Sequence, residues 1–567
     1  MSRFNRRDFL RAGSILAAGA LLPPAVSAHA GRDIVRAGWS GPITDPALKR
    51  IALRAVEAAR AAGATYADAR LSRIRRRVVW VSGGFGNATT STRAANLYPV
   101  EHEALALGVR ALTNGYWGFA ASVAWSADEA VRLGREAAGQ AKTGSLGQSR
   151  TAELGSVPVV RDGHWVMPVE RDPFTVPQAE IDDLLSTPMY LSLHRWREAY
   201  LQMTIARRET AFASSEGSYT TQILYRTGGT IATQLRWDER IPRPPQPGQP
   251  YAGRGFTFVP FPMAGRGWEH FSRISLQDEI DRAIAEADEE DKLPMKPLEV
   301  GRYDVVFDAE TTGRLLGGTI GAATELDRAM GYEVNAGGSS YLDDPVAMLG
   351  SHQIGASLLT VSADRSMPGG AATVKWDEEG VAPADFTLVK DGVLVDFQTT
   401  RESAGWLRDA YAKRSQASAS HGCSGSTSAM GAQQLQRPNL RLAPGPKAVG
   451  FDQLVADLKT GVAVKGAGVD LDFNALNGMV IENPEGGRTM FFEVKAGKKV
   501  ARLQPRTTAV VVRAPELWKN VLAIGGRDSL RQIGGASTKG EPSQTSYHTV
   551  EAPPMLVKQL AIVDPAR

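Results

Sequence analysis

From Pro297 onward the sequence is a succession of short β-type runs, and that texture limits the C-terminal half to a sheet-rich fold. "RYDVVFDAE" (302–310), "ASLLTVSADR" (356–365), "FTLVKDGVLVDFQTT" (386–400), "TMFFEVKAGKKVARL" (489–503) and "TAVVVRAP" (508–515) are rich in β-branched and aromatic residues. Gly and Asp-Gly turns join them. Before Pro297 the texture differs. "TDPALKRIALRAVEAARAAGA" (44–64) predicts a helix capped by Asp45, with Pro46 in its first turn and Gly63 to end it. "TYADARLSRIRRRVVWVSG" (65–83) alternates Ala67, Ala69 and Leu71 with Asp68, Arg70 and Ser72, which is strand behaviour. "VEHEALALGVRALTNGYWGFAASVAW" (100–125) predicts a hairpin turning at Asn114-Gly115. Ser126 and Glu129 form a capping box for a further helix, through about Ala141.

These segments predict an α+β protein of two domains, an N-terminal α/β domain and a mainly β C-terminal domain with a few helices. At 567 residues the chain is too long for one ordinary domain. The expected divisions are a signal peptide over 1–30, the N-terminal domain over 40–230, a Pro/Gly-rich insertion and linker helix over 231–297, and the β-rich domain over 298–567. The run "RIPRPPQPGQPYAGRGF" within 231–270 reads as a long surface loop. "SLQDEIDRAIAEADEEDK" reads as a helix capped at Ser275, with Ile280, Ala283, Ile284 and Ala287 on one face and an acidic, solvated run beyond.

The first thirty residues combine Arg6-Arg7, Phe9-Leu10, a short apolar run and Ala28-His29-Ala30, the pattern of a twin-arginine export signal. The expectation is a periplasmic protein, free of the membrane after cleavage. Arg3, Arg6, Arg7 and Arg11 against Asp8 give that segment a net +3, so the chain's formal +4 leaves only +1 elsewhere. No nucleic-acid footprint survives. Cys423 is the single cysteine, which excludes an internal disulfide framework.

Metal chemistry finds little local support. The eight histidines, at 29, 102, 164, 194, 270, 352, 421 and 548, never come within ten residues of each other. His102-Glu103 imitates the start of a His-Glu-x-x-His site, but Ala106 stands at the second ligand position, and the alternation there is that of a strand. "SHGCSGSTS" (420–428) gathers His421, Cys423 and several serines, which can house a nucleophile and a base or form a plain flexible loop. "KWDEEG" (375–380) offers carboxylates, read as solvated turn acids. "TTGRLLGGTIGAATELDRAMGY" (311–332) has helical apolar spacing, yet Gly317, Gly318 and Gly321 sit inside it at about 0.5–1 kcal/mol each relative to alanine.

Several of these segments together resemble the TldD/PmbA family, two-domain proteins associated with metallopeptidase activity. The similar stretches are "GVRALTNGYWGFAAS", "FASSEGSYTTQ", "GRYDVVFDAETTGRLL", "WDEEGVAPADFTLVKDGVLVDFQTTRESA", "RPNLRL" and "GVAVKGAGVDLDFNALNGMVIENPEG", in the family's order and across most of the mature chain. The resemblance implies that in the TldD branch a helix carries His-Glu-x-x-x-His, with zinc on the two histidines, the glutamate as base and a further ligand from a C-terminal cysteine. Laid on this chain, the three motif positions fall on Gly317, Gly318 and Ala322, and "GGASTKGEPSQTSYH" has no cysteine. No catalytic, metal or cofactor residue is therefore expected. PmbA-type members, also called TldE, lack the ligands too, and the family picture is a TldD–PmbA heterodimer enclosing a peptide chamber. The family's association with DNA gyrase draws no support from charge or compartment. The resemblance implies a zinc-free subunit that dimerises with a motif-bearing paralogue or with itself and handles peptide. The alternatives are an active peptidase with an unrecognised site, or a stand-alone peptide-binding or scaffold protein. Changing Arg6 and Arg7 together to Lys is expected to hold the precursor in the cytoplasm, because lysine cannot copy arginine's planar fork. Cell fractionation tests this, and unchanged periplasmic levels would refute the export signal.

Overall fold

The computed structural model of the chain describes residues 41–85, 93–144, 151–192, 196–235, 255–336, 338–466, 471–474, 478–482, 489–505 and 509–563. The export-signal reading of residues 1–30 lies outside them. The fold is α+β, as the sequence predicts. Helix α1 (Pro46–Ala61) is capped by Asp45, whose side chain accepts from the Ala47 N–H at 2.7 Å. Strand β1 (Tyr66–Phe85) pairs antiparallel with β2 (Arg93–Thr113), and β2 turns at Asn114-Gly115 into β3 (Tyr116–Ser122). Both turn residues have positive φ, 53° and 83°, as a two-residue hairpin of this hand requires. Ser126 accepts from the Glu129 N–H at 3.2 Å at the start of α2 (Ala127–Gly144).

These strands open a seven-stranded sheet in the order β3-β2-β1-β5-β6-β4, with β7 added to β6. Its other members are β4 (Gly163–Val166), β5 (Trp196–Ser214), β6 (Tyr219–Leu235) and β7 (Gly255–Ala264). Period-2 alternation gives this sheet two unlike faces. Ala67, Ala69, Leu71, Val109, Ala111, Ala211 and Ala213 pack against α1 and α2. Farther along the same face, Val79, Val81, Leu201, Met203 and Ile205 pack against α3 (Gln178–Ser192) and α4 (Leu276–Asp291). Ser275 caps α4, accepting from the Asp278 N–H at 3.2 Å, and Ile280 is in the core as expected. The opposite face carries Asp68, Arg70, Ser72, Arg110 and Thr210, and these too are buried.

The long loop expected over 231–270 is corrected at both ends. β6 runs on to Leu235, and Gly255–Ala264 is strand β7, while residues 236–254 lie outside the described residues. β7 carries Pro260 and Pro262, which a strand at a sheet edge tolerates, and the β6–β7 register shifts twice along their length.

The C-terminal half has two larger sheets. One runs β12-β11-β10-β15-β24-β23, comprising β10 (Val361–Asp364), β11 (Phe386–Lys390), β12 (Val393–Leu394), β15 (Asn439–Leu442), β23 (Arg531–Lys539) and β24 (Gln544–Ala552). The other runs β22-β25-β9-β16-β19-β20-β8, comprising β8 (Met295–Leu298), β9 (Gly301–Phe307), β16 (Thr460–Lys465), β19 (Met490–Lys495), β20 (Lys498–Pro505), β22 (Val521–Ile524) and β25 (Met555–Ile562). Two small sheets, β13 (Ser424–Gly425) with β14 (Gln434–Leu435), and β17 (Leu471–Asn474) with β18 (Gly478–Glu482) and β21 (Ala509–Arg513), complete the half. Val305 and Phe307 of β9 share one core with Leu440, Leu442, Val550 and Ala552 of the first sheet, while Val306 faces away, toward Leu454 and Val455. Helix α5 (Ala309–Leu316) contributes Leu315 and Leu316 to that shared core. Among the described residues, no helix is long and apolar enough to cross a membrane.

Candidate functional site

The polar face of the N-terminal sheet is an internal interface, and the turn Asp377-Glu378-Glu379 fills it. The sequence marked these acids as solvated; all three are buried. Glu378 accepts from Arg70 Nη1 at 2.8 Å and from Arg208 Nη2 at 2.7 Å. Burial opposes its charge, but Arg208 and Arg70 hold its carboxyl below the usual range. Glu379 accepts from Arg110 Nη1 at 3.1 Å and from the Arg401 N–H at 2.9 Å. Arg110 also donates twice to Asp68, at 3.0 and 2.8 Å. Asp377 accepts the N–H groups of Glu379, Val381 and Ser424, which fixes the turn itself. Arg401 reaches back across the junction in a bidentate pair with Glu216, at 2.9 and 2.8 Å.

Gly317, Gly318 and Ala322, the positions that the resemblance singles out, lie on the helix that begins with α5. Asp308 caps it, accepting from the Thr311 N–H at 2.8 Å. Past Leu316 the helix widens into a π turn, Gly317–Gly321. Gln398 Nε2 meets the Gly321 carbonyl at 2.6 Å, and Trp518 Nε1 donates to Thr319 Oγ1 at 2.8 Å. The glycines have a packing reason. Gly313, Gly317 and Gly321 are spaced by four and face the sheet. A Cβ on Gly313 would meet Ile533 Cδ1 at 2.8 Å, on Gly317 His548 Nε2 at 3.3 Å, and on Gly321 Leu440 Cδ1 at 2.6 Å. The backbone lies directly on β23, β24 and β15, and that contact offsets the helical cost of glycine.

A zinc ion does not fit the residues at Gly317, Gly318 and Ala322. None has a donor side chain, and the Gly317 face is occupied by packing against His548. Among the described residues, no group of three or more His, Cys, Asp or Glu side chains is placed to hold a metal ion. His548, which local spacing did not single out, is the imidazole here. It lies on β24 opposite Gly535, whose missing side chain leaves room for the ring. Its Nδ1 is buried with no hydrogen-bond partner among the described residues, and burial, with the charge of Arg437 next, pushes it down to about 3, so the ring is neutral.

Where the helix ends, a nest of opposite charges is sealed in. Glu325 accepts from Arg437 at 3.0 and 2.7 Å and from Lys539 at 3.0 Å. Lys539 also donates to both oxygens of Asp327, at 2.9 and 2.8 Å. Burial opposes the charge on Glu325, but Lys539, Arg437 and Arg328 hold its carboxyl low. Burial pushes the Asp327 carboxyl the other way, up, against the pull of Lys539, and the bonds of both acids to these cations fix the geometry of the helix end.

The remaining sequence candidates are dispersed. His102 is exposed on β2, opposite Arg76. His421 Nε2 pairs with Asp396 Oδ2 at 3.0 Å and its ring stacks on Phe386 with centroids 3.9 Å apart, so the ring is turned to the carboxylate. Cys423 is buried, and burial pushes its thiol up to about 12, which removes it as a nucleophile. His352 is partly buried elsewhere, near Lys519. Alternation of charge with alanine along β1 was the available sign of a second buried face. The partner of Arg70, Glu378, lies 308 residues away in sequence and had no local signal.

Residues 300–564 match the PmbA/TldA metallopeptidase C-terminal domain, and the chain belongs to the TldD/PmbA family. A metalloprotease of Methanothermobacter thermautotrophicus is 27% identical over 412 residues, 71% of this chain and 76% of its own length. A metalloprotease of Methanocaldococcus jannaschii is 27% identical over 206 residues, 34% of this chain and 40% of its own. The fold is shared with TldE from Thermococcus kodakarensis (TM-score 0.61, 12% identity, covering 91% of this chain and 100% of that one). It is shared also with a Bacteroides thetaiotaomicron protein described as a candidate modulator of DNA gyrase (TM-score 0.63, 13% identity, covering 92% and 99%).

A neutral buried histidine makes stability depend on pH. Its folded pKa lies below the ordinary value of about 6.5, so below that pH the unfolded chain binds a proton that the folded chain refuses. Stability from His548 is therefore full above about pH 6.5 and falls toward pH 4, by up to about 1.4 kcal/mol per pH unit. His548→Gln is expected to flatten the stability–pH curve in that window. Urea unfolding at pH 7, 5.5 and 4.5 checks it, and parallel curves for the two proteins would refute it.

Proposed function

We propose that this chain is the zinc-free subunit of an exported TldD/PmbA-type peptidase assembly, acting on peptides with a relative that bears His-Glu-x-x-x-His. The observation that carries the reading is the α5 helix. Its motif positions are Gly317, Gly318 and Ala322, and the face at Gly317 and Gly321 is spent on packing against β24 and β15. Removing both imidazoles and the carboxylate removes most of what binds zinc and activates water. The charge nest around Glu325 offers no substitute, since its acids are held by Arg437 and Lys539. Membership of a metallopeptidase family supports a peptide as the substrate class. Export rests on Arg6-Arg7 and the run that follows.

The expected partner interface is of obligate size, roughly 2,000 Å² or more in total. The test is to purify the chain alone and co-expressed with a motif-bearing relative from the same genome. Zinc per chain, peptide cleavage and mass by light scattering are then measured. The expected result is zinc well below stoichiometry and no cleavage for the chain alone, with a stable, cleaving complex when the relative is present. Near-stoichiometric zinc with cleavage by the chain alone would favour the active-peptidase alternative. A monomer indifferent to each such relative would leave the stand-alone binder.

A further inference from the structure

On the polar face of the N-terminal sheet one guanidinium, that of Arg226, stands outside the ion pairs made with the acidic turn. Arg70 and Arg208 share Glu378. Arg226, on β6 opposite Ala206 and so on the same face as Arg208, has no carboxylate partner among the described residues. Its Nη1 donates to the Tyr225 carbonyl at 2.7 Å and meets Met167 Sδ at 3.8 Å, and its Nη2 donates to the Thr373 carbonyl at 2.9 Å. That leaves the Nε–H and one Nη2–H without a protein partner among the described residues. Arg365 is likewise held by carbonyls alone, those of Ala372, Gly422 and Ser424, at 3.2, 3.0 and 2.7 Å.

The counter-charge nearby is weak. Asp377 faces Arg365, but burial first and then the charge of Glu379 push its carboxyl up to about 7. Burial, with the charges of Arg365 and Arg208, pushes Arg226 down to about 9. Carbonyl dipoles orient a guanidinium without cancelling its charge, and a buried charge is costly until an opposite one sits beside it. Arg226 is only half-buried, so its outer edge is within reach of solvent, and the chain that receives its Nη2 bond continues to the exposed Lys375.

We propose that Arg226, with Lys375 at the rim and Arg208 and Arg365 behind, forms an oxyanion-binding site that takes a phosphate or a carboxylate. A guanidinium with two unpaired N–H groups suits either anion, because both accept through two oxygens at once. The site is independent of the zinc-free reading, since a chain that held zinc would carry the same uncompensated charge.

The test is calorimetric titration of the full chain at constant ionic strength, with sodium phosphate, with an amidated tetraglutamate peptide and with sodium chloride as the reference. Saturable binding of phosphate or of the peptide, absent with chloride, is expected. Phosphate alone would identify a free oxyanion as the ligand, and peptide binding would identify a carboxylate-bearing chain. Arg226→Gln is expected to weaken the binding at least ten-fold. Lys375→Gln, at the exposed rim, should weaken it about three-fold and serves if Arg226→Gln fails to fold. No saturable binding of either probe, or unchanged affinity in the folded variants, would overturn the site.

Discussion

A single acidic turn, Asp377-Glu378-Glu379, holds the two halves of this molecule in register. It enters the polar face of the N-terminal sheet and is met there by Arg70, Arg110 and Arg208. Such pairs add little net stability over an apolar packing, because desolvation of each charge consumes much of the attraction. Their geometry is demanding, however. Breaking one pair by removing a partner leaves an uncompensated buried charge, at roughly 3–5 kcal/mol. The turn therefore acts as a key. Two faces that could slide if they were greasy are fixed by the positions of a few oxygens and guanidinium forks.

The same alignment shapes the glycine-bearing helix that follows β9. With the halves fixed, the α5 helix lies directly on the first C-terminal sheet, and the spacing of Gly313, Gly317 and Gly321 allows that approach. Three of the five residues of the π turn are glycine, and their helical cost is offset by the close backbone contact with the sheet. Beyond it, Glu325 and Asp327 are tied by Arg437 and Lys539, so the helix end is anchored to the "RPNLRL" segment and to β23. In this chain the helix is a packing element.

Much of the fold was readable locally. The cap of α1 at Asp45, the Asn114-Gly115 turn, the Ser126 and Ser275 caps and the strands after Pro297 all follow rules that act within a few residues. What escaped was non-local. Asp377, Glu378 and Glu379 look like turn acids, and only the fold brings Arg70 and Arg110 to them from the far end of the chain. β7 escaped because the Pro/Gly-rich run just before it set the reading of the whole 231–270 segment. His548 gave no sign because a histidine in an alternating strand is buried or exposed according to what covers the sheet. The glycine positions in α5 were visible, but their reason, contact with Ile533, His548 and Leu440, was not.

Differential scanning calorimetry of the full chain beside Glu378→Ala addresses the role of the turn. If Glu378 couples the halves, the native protein unfolds in one cooperative transition, and Glu378→Ala divides it into two, with the N-terminal half released at lower temperature. Two separate transitions in the native protein, or a single unshifted transition in the variant, would contradict that coupling.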